Sequence, residues 1–248
     1  MKRRLDDVLI EREEADDKDG AFVMVTGGRV FVDGQKAVSP AQMIGADAEI
    51  RVRGADGYVG RAAHKLEAAM ARFGVDVAGK ICVDVGAATG GFTEVLLRRG
   101  AAKVYAIDTA HGKLALKIRQ DPRVVVMERT DVRHMERPPE RADIVVIDVS
   151  LISLRDILTS ARGLLADGGV VVALFKPQYE TRDRRILRHG VIRDAQAREN
   201  LAADFARWSA HNGWEIHNKT ESPIRGDKGN GEYLFLMTSA PDDPNAGQ

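Results

Sequence analysis

The chain has little cysteine and few aromatic residues: Cys82 stands alone, and Phe, Trp and Tyr together make up 5% of 248 positions. One cysteine excludes an internal disulfide framework and fits a reducing compartment. Cys82 lies inside the apolar run ICVDV, where a thiol acts as a small buried hydrophobe. A reactive cysteine needs an electropositive, accessible setting. Long apolar runs are also missing. No stretch approaches the roughly 18–20 residues that cross a bilayer, and the opening MKRRLDDVLIEREE lacks the apolar core of a secretory signal. A cytoplasmic protein with no membrane partner is expected. Net charge is absent too: 37 Lys and Arg balance 37 Asp and Glu, so bulk electrostatics announce no nucleic-acid partner. The six histidines are scattered, apart from His211 and His217 flanking Gly213-Trp214. A zinc site needs three or four converging ligands, so no metal is expected. The GxGxxG spacing of dinucleotide binders does not occur either, which counts against a nicotinamide-dependent oxidoreductase.

What is present is enough for one good core and a small satellite domain, with 44% hydrophobic and 30% charged residues. Two textures divide the chain. Residues 1–53 read as a small α+β module: helices at RRLDDVLIERE and around DGAFVMVTGG, then short strands in GRVFVDGQKAV and DAEIRVR, with Val32-Asp33-Gly34 as a tight turn. A polar, glycine-bearing linker is expected at 54–59, and a frayed polar tail, PDDPNAGQ, at 241–248. Between them, at 60–240, strands and helices alternate, which predicts an α/β domain with a mostly parallel sheet. RAAHKLEAAMARFG is an amphipathic helix closing at Gly74, and ICVDVG, KVYAID, RVVVME, ADIVVID and VVVALF are successive strands. HGKLALKIRQ, LRDILTSARGLLA and AQARENLAADFARWSAHNG are helical, and WEIHNKTESP and EYLFLMTS are the last strands.

Charge is uneven locally. Met1 to Gly57 hold nine Lys or Arg against twelve Asp or Glu, whereas Lys176 to Arg198 hold seven against three. The second stretch is either a loop that holds phosphates or a solvated helix face; charge alone does not choose between them.

VDVGAATGGFTEVLL reads as strand, glycine-rich turn and helix start, in which Gly86, Gly90 and Gly91 let the backbone approach a ligand. Asp84 closes that strand. Asp108 closes KVYAID, where a carboxylate can accept from both hydroxyls of a ribose, and Asp131 in the next turn can accept from an adenine amino group. Carboxylates at the carboxyl ends of adjacent parallel strands suit an adenosine without phosphates, which points to S-adenosylmethionine. Asp148 and Lys176 end ADIVVID and VVVALFK and emerge at the same sheet edge within pairing distance. Desolvation lowers a lysine's pKa toward a useful range while Asp148 favours the charged form, so base and electrostatic clamp both remain open for Lys176. Lys65 and Glu232 are further candidates outside the core pattern.

RAAHKL, VDVGAATGGFTEVLLRRGA, VIDVSLISL, LFKPQYE and GNGEYLFL, in this order, resemble the motifs of the TlyA-type RNA methyltransferases, relatives of the FtsJ ribose 2′-O-methyltransferases. The family has also been described as haemolysins. The resemblance covers nearly the whole chain. It implies a Rossmann-like methyltransferase domain preceded by the small RNA-binding fold named for ribosomal protein S-four. It implies S-adenosylmethionine as cofactor, held by Asp84, Gly86, Ala87, Gly90, Gly91, Phe92, Asp108, Asp131 and Asp148. It further implies a Lys65-Asp148-Lys176-Glu232 tetrad acting on a ribose hydroxyl, and ribosomal RNA or a ribosomal subunit as partner, methylated at a cytidine. Where relatives often carry a glycine-rich stretch after the KPQ motif, this chain has TRDRRILRHG. The alternatives are an RNA-binding protein without methyl transfer and a membrane-active haemolysin. The second is disfavoured because no basic amphipathic helix with bulky apolar residues stands apart from the core pattern.

Overall fold

The computed structural model describes residues 2–12, 14–15, 17–52, 57–226 and 228–240. Half of the expected linker, at 54–56, and the expected tail at 241–248 lie outside the described residues. The chain divides into two compact units, Met1–Tyr58 and Val59–Gln248.

In the first unit, β1 (Arg3–Arg4) leads into α1 (Leu5–Glu11), followed by α2 (Lys18–Thr26), β2 (Val30–Val32), β3 (Gln35–Lys36), β4 (Met43–Ile44) and β5 (Ile50–Val52). Asp17 caps α2 by accepting from the Gly20 amide at 2.7 Å. Asp33 and Gly34, at φ 50° and 79°, make the tight turn between β2 and β3, a turn whose twist matches paired strands. The order β3-β2-β5 is antiparallel throughout. Leu5, Leu9, Val25, Val30 and Ile44 fill its core. The two-residue pairing of β1 with β4 had no sequence signal, being too short for a period.

The second unit begins with α3 (Ala62–Phe73), which ends on Gly74 in the left-handed region. There follow β6 (Ile81–Val85), α4 (Gly91–Arg98), β7 (Lys103–Asp108), the single turn α5 (Leu116–Arg119), β8 (Val124–Glu128), β9 (Ala142–Ile147) and α6 (Leu154–Ala161). The rest comprises β10 (Leu165–Phe175), the single turn α7 (Pro177–Glu180), α8 (Ala195–His211), β11 (Trp214–Glu221) and β12 (Tyr233–Ser239). The sheet order is β11-β12-β10-β9-β6-β7-β8, with β6 to β10 mutually parallel and β12 antiparallel to both neighbours. The chain winds outward from β6 to β8, then restarts at β9 on the other side of β6. Such a switch point opens a crevice at the carboxyl ends of the strands.

A group of aromatic residues clusters around β10. Phe175 of β10 packs on Phe205 of α8 at 4.9 Å between centroids and on Phe235 of β12 at 5.6 Å; all three are fully buried. Each contributes about 1.5–3 kcal/mol by burial, and together they lock β10 and β12 just below the strand ends that carry the candidate site. Trp214 is buried and Trp208 stacks on Phe205, so both serve packing. Cys82 is fully buried, and burial pushes its thiol up to about 12. HGKLALKIRQ yields only the turn α5 because the Ala115 amide is spent on the Thr89 carbonyl, at 3.1 Å, and Leu114 is drawn onto Gly90. Among the described residues no helix is long and apolar enough to cross a membrane.

Candidate active site

The glycine-rich turn is built at the switch point. A Cβ on Gly86 would run into the Asp148 carbonyl across the gap between β6 and β9, so no other residue fits there. The Gly86 and Ala87 amides both donate to the Ile107 carbonyl, at 2.9 and 3.1 Å, and draw the turn toward the end of β7. Ala88 and Gly90 have φ 49° and 96°, and Gly90 is the N-cap of α4. Ala88 and Thr89 are left exposed. Gly91 faces α3, where a Cβ would sit 3.1 Å from the Ala63 amide. Phe92 is buried, so its side chain belongs to the core rather than to a ligand surface.

The carboxylates divide by setting. Asp108, half-buried, accepts from the Ala88 amide at 2.8 Å with one oxygen and from Ala110 at 2.7 Å with the other. The second lone pair of each oxygen is available to a pair of vicinal hydroxyls. Asp131 follows β8, and both its oxygens are held by the Arg133 guanidinium, at 2.6 and 3.0 Å, which keeps its carboxyl down at about 2. Asp84 departs from expectation. β6 runs one residue beyond it, and its side chain is fully buried rather than facing the crevice. One oxygen accepts from the Thr93 hydroxyl at 2.6 Å, tying β6 to the first turn of α4. The other, Oδ1, has no hydrogen-bond partner among the described residues. Burial, with Asp148 and Asp108 adding repulsion, raises its pKa to about 7.

That shift has a consequence for stability. The folded state keeps the Asp84 proton up to about pH 7, whereas the unfolded chain releases it near 3.8. Stability is therefore lost as pH rises between those values. The neutral isostere Asp84→Asn is expected to gain on the natural protein by on the order of 3 kcal/mol between pH 4 and pH 8. Denaturant unfolding at several pH values checks this, and a pH-independent difference would contradict it.

The four tetrad positions form two ion pairs, Lys65–Glu232 buried on both sides and Lys176–Asp148 with a buried lysine and a partly exposed aspartate. Lys176 follows β10 directly as the N-cap of α7, with Pro177 as the first helical residue. Its ammonium lies 2.6 Å from Asp148 and donates to the Ser150 hydroxyl at 2.9 Å. Lys65, on the face of α3 that packs against β12, donates to Glu232 at 2.6 Å. The lysine side chains are 9% and 10% exposed, so neither ammonium is simply solvated. The pairs are neighbours by register: Phe175 opposes Tyr233 in the β10–β12 ladder, which makes Lys176 and Glu232 the next facing positions.

Two supports have no counterpart in the sequence reading. Ser150 supplies the second acceptor to Lys176. Glu180, with a 2% exposed side chain, accepts from the Ser153 hydroxyl at 2.7 Å and the Leu154 amide at 2.6 Å. The loop between β9 and α6 is thus fixed at one end by the Asp148 amide on the Val85 carbonyl and at the other by Glu180. Between these anchors Leu151 is held at φ 68° with its side chain 86% exposed. Glu180 lies in the same KPQYE motif as Lys176, the one signal that linked it to the site.

Chemically, the crevice presents carboxylates, an exposed backbone turn and two lysines fixed by acids. An anionic dinucleotide would meet this acidic lining unfavourably, whereas a cationic adenosine derivative fits it. Asp108, each of whose oxygens accepts only one backbone amide, points the same way.

Residues 58–238 match the family model described as FtsJ-like methyltransferase. Over 245 residues the chain is 39% identical to the 16S/23S rRNA (cytidine-2′-O)-methyltransferase TlyA of Mycobacterium tuberculosis, spanning 97% of this chain and 91% of that protein. A solved structure described as a hemolysin from Streptococcus thermophilus has a TM-score of 0.75 at 34% identity, covering 98% of this chain and 92% of that one. One described as an S-adenosylmethionine dependent methyltransferase from Listeria monocytogenes shares the fold at 17% identity, with a TM-score of 0.55 over 73% of this chain and 100% of that one. The seven-stranded sheet is thus a Rossmann-like methyltransferase sheet.

Proposed function

The chain belongs to the FtsJ-like methyltransferase family, and on that premise we propose that it methylates a ribose 2′-hydroxyl of a cytidine in ribosomal RNA, using S-adenosylmethionine. The observation that carries the reading is the two ion pairs with buried lysines, Lys176–Asp148 and Lys65–Glu232, in which Lys176 and Glu232 occupy facing positions at the switch-point edge of the sheet. Two fixed ammonium groups suit a reaction in which an alcohol oxygen gains negative character.

In this reading Asp108 accepts from the cofactor ribose, Asp131 lies toward the adenine, and the turn Gly86, Ala87, Gly90 shapes the pocket. Asp84 acts from below by holding Thr93, which fixes the first turn of α4 beneath the glycine-rich turn. When bound, S-adenosylmethionine supplies a methyl group already activated by a positive sulfonium, so the protein's task is positioning and proton handling. Asp148 and Ser150 hold the Lys176 Nζ at the edge where the hydroxyl arrives. Lys176 as the neutral amine would take the 2′-proton, or as the ammonium would stabilise the oxygen while the 2′-proton passes to solvent. Glu232 orients Lys65, which holds the ribose. The amino-terminal unit is assigned an S-four-like RNA-binding role, and an rRNA substrate places the protein in the cytoplasm.

Incubation with methyl-labelled S-adenosylmethionine and either ribosomal subunits or deproteinised rRNA tests this reading. Label is expected in RNA from at least one source. Retention of label in the cofactor fraction with both would overturn the assignment.

A further inference from the structure

Resting on the RNA-methyltransferase reading, we propose that residues 181–193, with Lys228, form a preorganised arm that grips RNA phosphates beside the target ribose. The arm leaves α7 five residues after Lys176 and ends at Asp194, the N-cap of α8. Arg182, Arg184, Arg188 and Arg193 are exposed, and no ion pair holds any of them among the described residues. Arg185 is excluded from this set because Asp183 neutralises it at 2.9 Å.

The distinguishing feature is how the arm is held. A solvated loop satisfies its backbone with water. This one is held by two buried polar side chains, each of which carries a desolvation cost. Asn230, 3% exposed, accepts from the Ile192 amide at 3.0 Å and donates to the Gly190 carbonyl at 2.9 Å. Arg198, 9% exposed, donates to the Ile192 and Arg193 carbonyls at 3.1 and 3.0 Å. Ile192 plugs into the core at 1% exposure. Arg188 and Val191 exchange backbone bonds of 2.9 and 3.0 Å around a tip whose residues, His189 and Gly190, have φ 52° and 80°. The result is a rigid hairpin tip with cations on its outside.

Its footing is the active site. Asn230 lies two residues before Glu232, and its carbonyl accepts from Gly226 at 2.9 Å, the glycine whose missing Cβ leaves room for the Glu232 carboxylate. Lys228, exposed on the same turn, passes close to Gly190 at the tip. A nucleotide brought to Lys176 carries a phosphate on each side of its ribose, and cations on a fixed arm neutralise these without an ordering cost at binding.

The test compares the full chain with a variant carrying Ala at Arg182, Arg184, Arg188 and Arg193, using a cytidine-rich single-stranded RNA oligomer over a range of KCl. Each lost phosphate contact lowers the slope of log affinity against log salt by about 0.7 for single strands, so a fall of about 2 to 3 is expected. KM for ribosomal RNA should rise at least about tenfold with kcat and cofactor affinity held within a few fold, which corresponds to lost uniform binding. Lysine at the four positions should restore most of the slope. An unchanged slope, no rescue by lysine, or the same arginine dependence with an oligoglutamate probe would overturn the arm as a phosphate grip. A wild-type chain that transfers no methyl, yet shows an arginine-dependent slope, would overturn the enzymatic reading and leave the arm standing.

Discussion

Replacing Lys176 with methionine is expected to lower methyl transfer by about 10²- to 10⁴-fold, the range of a positioned proton-transfer group, while cofactor affinity stays within a few fold. The ammonium is held 2.6 Å from Asp148 and 2.9 Å from Ser150, an arrangement with no value to a surface lysine. Removing it also leaves the partly exposed Asp148 without its counter-ion, at a cost below the roughly 3–5 kcal/mol of breaking a fully buried pair. Stability and activity therefore fall together in the single variant and must be separated. Changing both partners, Lys176→Met with Asp148→Asn, removes the unpaired charge and should recover much of the unfolding midpoint without recovering transfer. If activity returned with stability, the pair would be a packing device and the catalytic assignment would fail.

The second large effect is expected at Asp108, where alanine should weaken S-adenosylmethionine binding by about 10- to 100-fold or more. Hydrogen bonds to a charged group contribute about 1.5–3 kcal/mol each, and about 1.4 kcal/mol is a factor of ten. Asp108 also anchors the Ala88 and Ala110 amides, so its loss loosens the turn as well as the ribose contact. Asparagine keeps one acceptor and should fall between the two. Isothermal titration of the three proteins gives the order directly. Equal affinity for Asp108→Ala and the natural protein would remove the ribose assignment while leaving the Lys176 prediction intact.

What could be read from sequence depended on how local the cause was. Lys176 and Asp148 were legible together because each ends an apolar strand, ADIVVI or VVVALF, and adjacent parallel strands bring their ends to one edge. Pro177 was legible as a stop because it has no amide for the ladder. The Lys65–Glu232 pair joins positions 167 apart, and only the family resemblance proposed their association. Asp84 was misplaced because strand alternation fixes neither where a strand ends nor that a carboxylate can lie wholly inside the sheet with Thr93. Phe92 entered the cofactor set through the family resemblance, and its side chain is buried on the inner face of α4. Ser150 and Glu180 escaped notice because their roles arise from hydrogen bonds between the ends of β9 and β10, which no short-range pattern encodes. The basic segment after Lys176 was visible by charge, but its rigidity came from Asn230 and Arg198, 38 and 6 positions away from Ile192.

The most direct test is the position of the transferred methyl group. RNA methylated by the natural protein, digested to nucleosides and resolved by mass spectrometry, should yield 2′-O-methylcytidine, and the Lys176→Met variant should reduce that product to near background. A methyl group on a base, or 2′-O-methylcytidine formed equally well without Lys176, would contradict the account.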